Sequence, residues 1–110
     1  MREISWVNAA LKDFRGFPDD VRTQMMDGLL EVSAGLFPDF AKPLKGFDGG
    51  VYELALPYRG NAWRTVYALK IDNDIWVIHT FQKKSTSGIK TPKVDIDLIE
   101  HRIKQLRRVK

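Results

Sequence analysis

Few side chains in this chain of 110 residues can do chemistry, and their types narrow which chemistry. There is no cysteine, which excludes a thiol nucleophile, a thiolate metal site and a disulfide scaffold. His79 and His101 are the two histidines, too few nitrogen ligands to suggest a zinc enzyme. The remaining candidates are cations. Arg64 interrupts the apolar run Trp63-Arg64-Thr65-Val66-Tyr67, and Lys83-Lys84 close the run Ile75 to Phe81. A guanidinium grips two phosphate oxygens at once, and phosphoryl transfer needs charge stabilisation and in-line positioning more than covalent help. A lysine crowded by other cations titrates lower and can accept a proton.

Each candidate has a plainer reading. Arg64 can be an edge-facing arginine paired with Glu53 of the preceding strand. Lys83 and Lys84 can be simple phosphate contacts or a solvated strand end, and period-2 alternation puts only one of them on the face of Arg64. Tyr67 can stack on a base or donate a proton, or be a half-buried strand tyrosine. Phe81 can stack on RNA, although core packing suits it better. His79, near Ile78 and Phe81, reads as a satisfied core histidine, and His101 as a surface residue.

The elements that must position these residues show in the periodicity. Arg2-Glu3-Ile4-Ser5-Trp6 suggests a short strand. Val7, Ala10, Leu11 and Phe14 recur at helical spacing up to Gly16. A second helix is expected from Pro18-Asp19-Asp20, where proline and acids suit a helix start, with Val21, Met25, Leu29, Val32 and Leu36 as its buried stripe and Gly35 as its stop. Gly28 would permit close packing. Then the period changes to that of strands: Val51 to Leu56, Trp63 to Ile71 and Ile75 to Phe81, joined at Tyr58-Arg59-Gly60-Asn61 and Asp72-Asn73-Asp74. The last of these strands is apolar on both faces and should lie inside the sheet. Residues 83–90 are polar and read as a flexible connection. Thr91 as N-cap and Pro92 at the first helical position open a final helix with the stripe Ile96, Ile99, Ile103 and Leu106. The expected order is β-α-α-β-β-β-α: one α+β domain over residues 1–110, with a helix hairpin and a C-terminal helix on a small twisted antiparallel sheet.

Charge is distributed unevenly. Residues 83–110 hold nine Lys/Arg against three acids, whereas residues 1–82 hold nine against eleven. A basic C-terminal quarter on a nearly neutral body suits a polyanion surface or a solvated helix. The N-terminal stretch is charged and lacks the apolar core of a signal peptide, and no run approaches the length of a membrane span; a cytoplasmic protein without a membrane partner is expected.

The run Trp63-Arg64-Thr65-Val66-Tyr67-Ala68-Leu69-Lys70, the run Ile78-His79-Thr80-Phe81-Gln82-Lys83-Lys84, and Thr91-Pro92-Lys93 opening the last helix together resemble the RelE/ParE toxin superfamily, most of all its HigB-like, phage-derived branch. The match spans about residues 50–108. The resemblance implies a type II toxin–antitoxin toxin, an mRNA interferase that inhibits translation by cutting messenger RNA in the ribosomal decoding site. Such endoribonucleases use no metal or cofactor; the RNA's own 2′-hydroxyl attacks the adjacent phosphate and leaves a 2′,3′-cyclic phosphate. On that basis Arg64, Lys83, Lys84 and Tyr67 are the expected catalytic residues, and Arg59, Phe81, Lys90 and Lys93 the expected RNA contacts. The implied partners are the ribosome with its mRNA and a small cognate antitoxin with a helix-turn-helix domain. Where better-known members carry basic residues on the strand before the turn, this chain has Glu53, Ala55 and Pro57. That departure keeps two other functions open: a ParE-like gyrase-binding toxin without catalysis, and a non-toxic phage module that binds RNA or protein.

Overall fold

A computed structural model describes residues 1–47, 49–84 and 90–109, apart from the side chains of Lys84 and Val109. In chain order the elements are β1 (Ile4–Trp6), α1 (Asn8–Arg15), α2 (Asp19–Ser33), β2 (Ala41–Pro43), β3 (Val51–Tyr58), β4 (Asn61–Ile71), β5 (Asp74–Lys84) and α3 (Lys93–Val109). The strands form one sheet in the order β1-β5-β4-β3-β2. The three helices lie on it as expected for an α+β domain, with the α1–α2 hairpin on one face and α3 on the other.

Two features correct the expected topology. The sheet is mixed, because β1 pairs parallel to β5 while the other pairings are antiparallel. A parallel neighbour requires a crossover, and the α1–α2 hairpin together with β2–β4 supplies it. The second feature is β2, a three-residue edge strand paired with β3 and absent from the expected order. Ala41-Lys42-Pro43 is too short to show a period, and its proline fits only an edge. β5 lies inside the sheet as expected, between β1 and β4, with Ile75, Val77 and Ile78 fully buried.

Alternation along the strands sorts the side chains into two cores. On the hairpin side Leu54, Tyr67, Ile75 and Val77 meet Ala10, Phe14, Phe17, Val21, Met25 and Leu29. Gly28 permits this contact: a Cβ there would sit 2.7 Å from Phe40 Cζ. On the other side Ile99 and Ile103 of α3 cover Val51, Val66, Ala68 and Ile78. Leu36 does not join the α2 stripe. The helix ends at Ser33, Gly35 takes a positive φ of 87°, and the Leu36 amide bonds back to the Glu31 carbonyl, leaving the leucine 59% exposed. This is a glycine-terminated helix end. Among the described residues no helix is long and apolar enough to cross a membrane.

The start of α3 also differs from expectation. Pro92 precedes the first helical residue, and its carbonyl accepts from the amides of Asp95 and Ile96. Thr91 does not cap the helix through its hydroxyl, which donates to Glu53 Oε2 at 3.0 Å instead.

Candidate functional site

Register settles which candidates share a face. On β4 and β5, Ala62 pairs with Lys83, Arg64 with Phe81 and Val66 with His79; on β3 and β2, Val66 is opposite Glu53, and Glu53 is opposite Lys42. Residues directly opposite each other project to the same side. Arg64, Lys83, Phe81, His79, Glu53 and Lys42 therefore lie together on the face that α3 covers. Tyr67, three positions from Arg64, lies on the other face. It is 1% exposed, stacked on Tyr52 at 5.7 Å within the hairpin core, and its burial raises the phenol well above its ordinary range. The expected grouping of Tyr67 with Arg64 does not form. The side chain of Lys84 lies outside the described residues, as do residues 85–89 of the expected flexible connection.

The pairing with Glu53 in the plainer reading of Arg64 forms, but the arginine is buried on an interior strand and does not face an edge. The guanidinium, in a residue 4% exposed, donates from Nη1 to Glu53 Oε1 at 2.8 Å, and Glu53 is itself fully buried. Thr91 closes the cluster through Glu53 Oε2, with its hydroxyl 3.5 Å from Arg64 Nη1. Lys42 adds a second cation, Nζ 3.8 Å from Glu53 Oε1. A buried carboxylate needs such partners, because each ion loses several kcal/mol of hydration on leaving water.

Lys83 sits beside this cluster, 6% exposed, and its Nζ donates to the Lys90 carbonyl. Burial above all, then the Arg64 guanidinium and more weakly Lys42, hold its ammonium below the ordinary lysine range, while Glu53 and Asp95 pull the other way. A lysine depressed in this way keeps a larger neutral fraction near neutral pH and can accept a proton.

His79 is satisfied on both ring nitrogens. Nε2 lies 2.7 Å from Asp95 Oδ1, and Nδ1 lies 3.2 Å from Arg102 Nη1, which also donates to the Ile78 carbonyl at 3.0 Å. A guanidinium only donates, so Nδ1 accepts and Nε2 carries a proton toward Asp95. His79 thereby ties the start and middle of α3 to β5. Phe81 stacks on His79 at 5.0 Å and packs against the α3-side core, only partly buried.

The expected RNA contacts are placed as follows. Lys90 is exposed and lines a cleft of about 420 Å³ with Lys42, Lys45, Glu53, Thr91 and Ile96. Lys93, its side chain 87% exposed, pairs with Asp97 at 2.9 Å at the start of α3. Arg59 is exposed at the β3–β4 turn, away from this cleft in register, with its guanidinium 5.1 Å from the centre of the Tyr58 ring. Arg59 and Gly60 both take positive φ, 50° and 80°, a two-residue hairpin turn that favours Asn-Gly over Arg-Gly. Sequence reasoning missed Lys42, took Thr91 only as a helix cap, and treated Glu53 only as a possible partner. A lone acid on an apolar strand, facing a lone arginine on the next strand, was the signal for Glu53.

Two outcomes follow from this geometry. Glu53→Gln leaves the Arg64 guanidinium buried against a neutral amide and should lower stability by about 3–5 kcal/mol, read from denaturant midpoints. The depressed Lys83 sets a pH dependence. The unfolded chain binds more protons than the folded one between the lowered Lys83 pKa and the ordinary lysine value of 10.5, so stability should rise with pH across that window. In Lys83→Met, compared with wild type at each pH so that Tyr67 contributes equally, this rise should be missing.

Comparison with known proteins agrees with this fold. A family model described as "Phage derived protein Gp49-like (DUF891)" matches residues 12–104. No curated protein matches the chain in sequence. Among solved structures, the isolated RelE toxin of E. coli is similar at 22% identity, covering 92% of this chain and 98% of that one, with a TM-score of 0.60. A double-arginine mutant of E. coli RelE in the free state is similar at 21% identity, covering 91% and 96%, with a TM-score of 0.65. The chain therefore belongs to the phage-derived Gp49-like family and has a fold like that of E. coli RelE.

Proposed function

We propose that this protein is the toxin of a type II toxin–antitoxin pair and that it cuts ribosome-bound mRNA without a metal. The observation that carries this reading is geometric: Lys83 and Arg64 share the buried α3-side face with Glu53, which lines a cleft together with Lys42, Lys45 and Lys90. RNA in the cleft takes the place of the Lys90 carbonyl at Lys83. The neutral amine of Lys83 removes the proton of a 2′-hydroxyl, and the 2′-oxygen attacks the adjacent phosphorus. The 5′-oxygen leaves and takes a proton from water, giving a 2′,3′-cyclic phosphate and a 5′-hydroxyl. Arg64 acts here mainly through its charge: it keeps Lys83 poised and neutralises Glu53, so that the site can receive a phosphate.

A second reading is favoured by one observation: Arg64 is already engaged by Glu53, and Lys83 by the Lys90 carbonyl. A toxin that acts by binding a protein such as gyrase needs no free cationic centre and tolerates both bonds. Either toxin requires an antitoxin, a small protein with a helix-turn-helix domain and a segment that packs on this domain. The segment covers the cleft or docks on the acidic outer side of the hairpin, at Asp13, Asp19, Asp20 and Asp27.

Induction in a bacterial host with mapping of transcript 5′ ends separates the readings. Discrete cuts inside translated frames are expected for the wild type, and Lys83→Met, which removes the base but not the fold, should slow them by about 10²–10⁴-fold. Intact transcripts with damaged DNA would favour the gyrase reading.

A further inference from the structure

The cation directly opposite Glu53 comes from neither β3 nor β4, the two strands that carry the buried pair. β3 presents Glu53 and Ala55 to this face, and the charge opposite Glu53 is supplied by Lys42 of the edge strand β2. Three properties distinguish Lys42. Its backbone is fixed, because β2 is laddered to β3 and Leu44, the residue after the strand, bonds through its amide to the Val51 carbonyl at 2.9 Å. Its ammonium has unused donors: 3.8 Å to Glu53 is an ion pair but too long for a hydrogen bond, and among the described residues Lys42 makes no other polar contact. Its side chain is 47% exposed and lines the cleft together with Lys90 and Thr91, approaching Glu53 Oε1 while Thr91 bonds Oε2.

Glu53 also lines this cleft, and its carboxylate would repel an anion if it stood alone. Its charge is offset by Arg64, and Lys83 lies alongside. The cleft thus offers cations beside a compensated carboxylate, with Leu44 and Ile96 as apolar lining. That combination suits a single strand, whose phosphates meet the lysines while a base lies against the apolar residues. A duplex keeps its bases inside and offers this cleft phosphates alone.

We propose that Lys42 is a phosphate-binding residue for single-stranded RNA, held in place by its ion pair with Glu53. The choice of RNA rests on the reading given under Proposed function, but binding at Lys42 does not depend on cleavage.

Equilibrium binding of a fluorescent ten-nucleotide single-stranded RNA to the full chain, titrated over a NaCl series, tests this. Each phosphate contact contributes about −0.7 to the slope of log affinity against log salt. Lys42→Ala should therefore flatten the slope by about 0.7 and weaken binding severalfold at low salt. Lys42→Arg should keep the slope, and Lys104→Ala on the outer surface of α3 should leave it unchanged. An unaltered slope in Lys42→Ala, equal flattening in Lys104→Ala, or no binding by the wild type would each overturn the proposal. Lys42-dependent binding without cuts in transcripts would support it while refuting the nuclease reading. Cuts in transcripts with Lys42-independent binding would do the reverse.

Discussion

The buried ion pair between Glu53 and Arg64 is the constraint around which the α3 side of the molecule is arranged. Two opposite charges lie on adjacent strands at 2.8 Å, with side chains 0% and 5% exposed. Such a pair is tolerated in an interior only when geometry and further hydrogen bonds offset the lost hydration. Thr91 supplies one of those bonds from the chain entering α3. The same pair therefore satisfies the sheet face, fixes where the last helix begins, and sets the electrostatic field that Lys83 experiences. Removing either charge would disturb all three together, so substituting Arg64 alone changes the fold's energetics as well as any chemistry.

The sheet divides the work between its faces. Toward the hairpin it is apolar and aromatic: Trp6, Phe14, Phe17 and Trp63 make a chain of ring contacts at 4.8–5.6 Å. Toward α3 it is a seam in which apolar contacts at Ile99 and Ile103 alternate with charged ones at His79–Asp95, Arg102–Ile78 and Glu53–Thr91. Hydrophobic burial does not depend on fine geometry, whereas these polar contacts do. The seam is thus the face whose fit to a ligand or a partner a small rearrangement would alter most, while the hairpin side keeps the strands in register.

Much of this layout is legible in the residues. Helical spacing in α1, α2 and α3 and strand alternation in β3–β5 locate those elements within a few positions, because a periodic apolar pattern is repeated often enough to stand out. β2 is not legible, since three residues with a lysine and a proline carry no period. The parallel pairing of β1 is set by long-range contact with β5 and leaves no local mark. For the site, alternation alone separates Arg64 from Tyr67: an odd spacing on a regular strand puts them on opposite faces. It could not choose between Lys83 and Lys84, because that depends on the β4–β5 register, in which a shift falls between Val66 and Tyr67. The role of Thr91 was hidden for a similar reason. Its position before Pro92 matches a helix cap, and only the tertiary approach of Glu53 redirects its hydroxyl.

The central claim is that this face cuts RNA by using the RNA's own 2′-hydroxyl. Ribosomes programmed with an mRNA carrying a single 2′-deoxynucleotide on the 5′ side of a mapped cut test it most directly. The account predicts that the all-ribose message is cut there, leaving a 2′,3′-cyclic phosphate, and that the substituted message stays whole at that position. Cutting of both messages alike, or of neither, would contradict it.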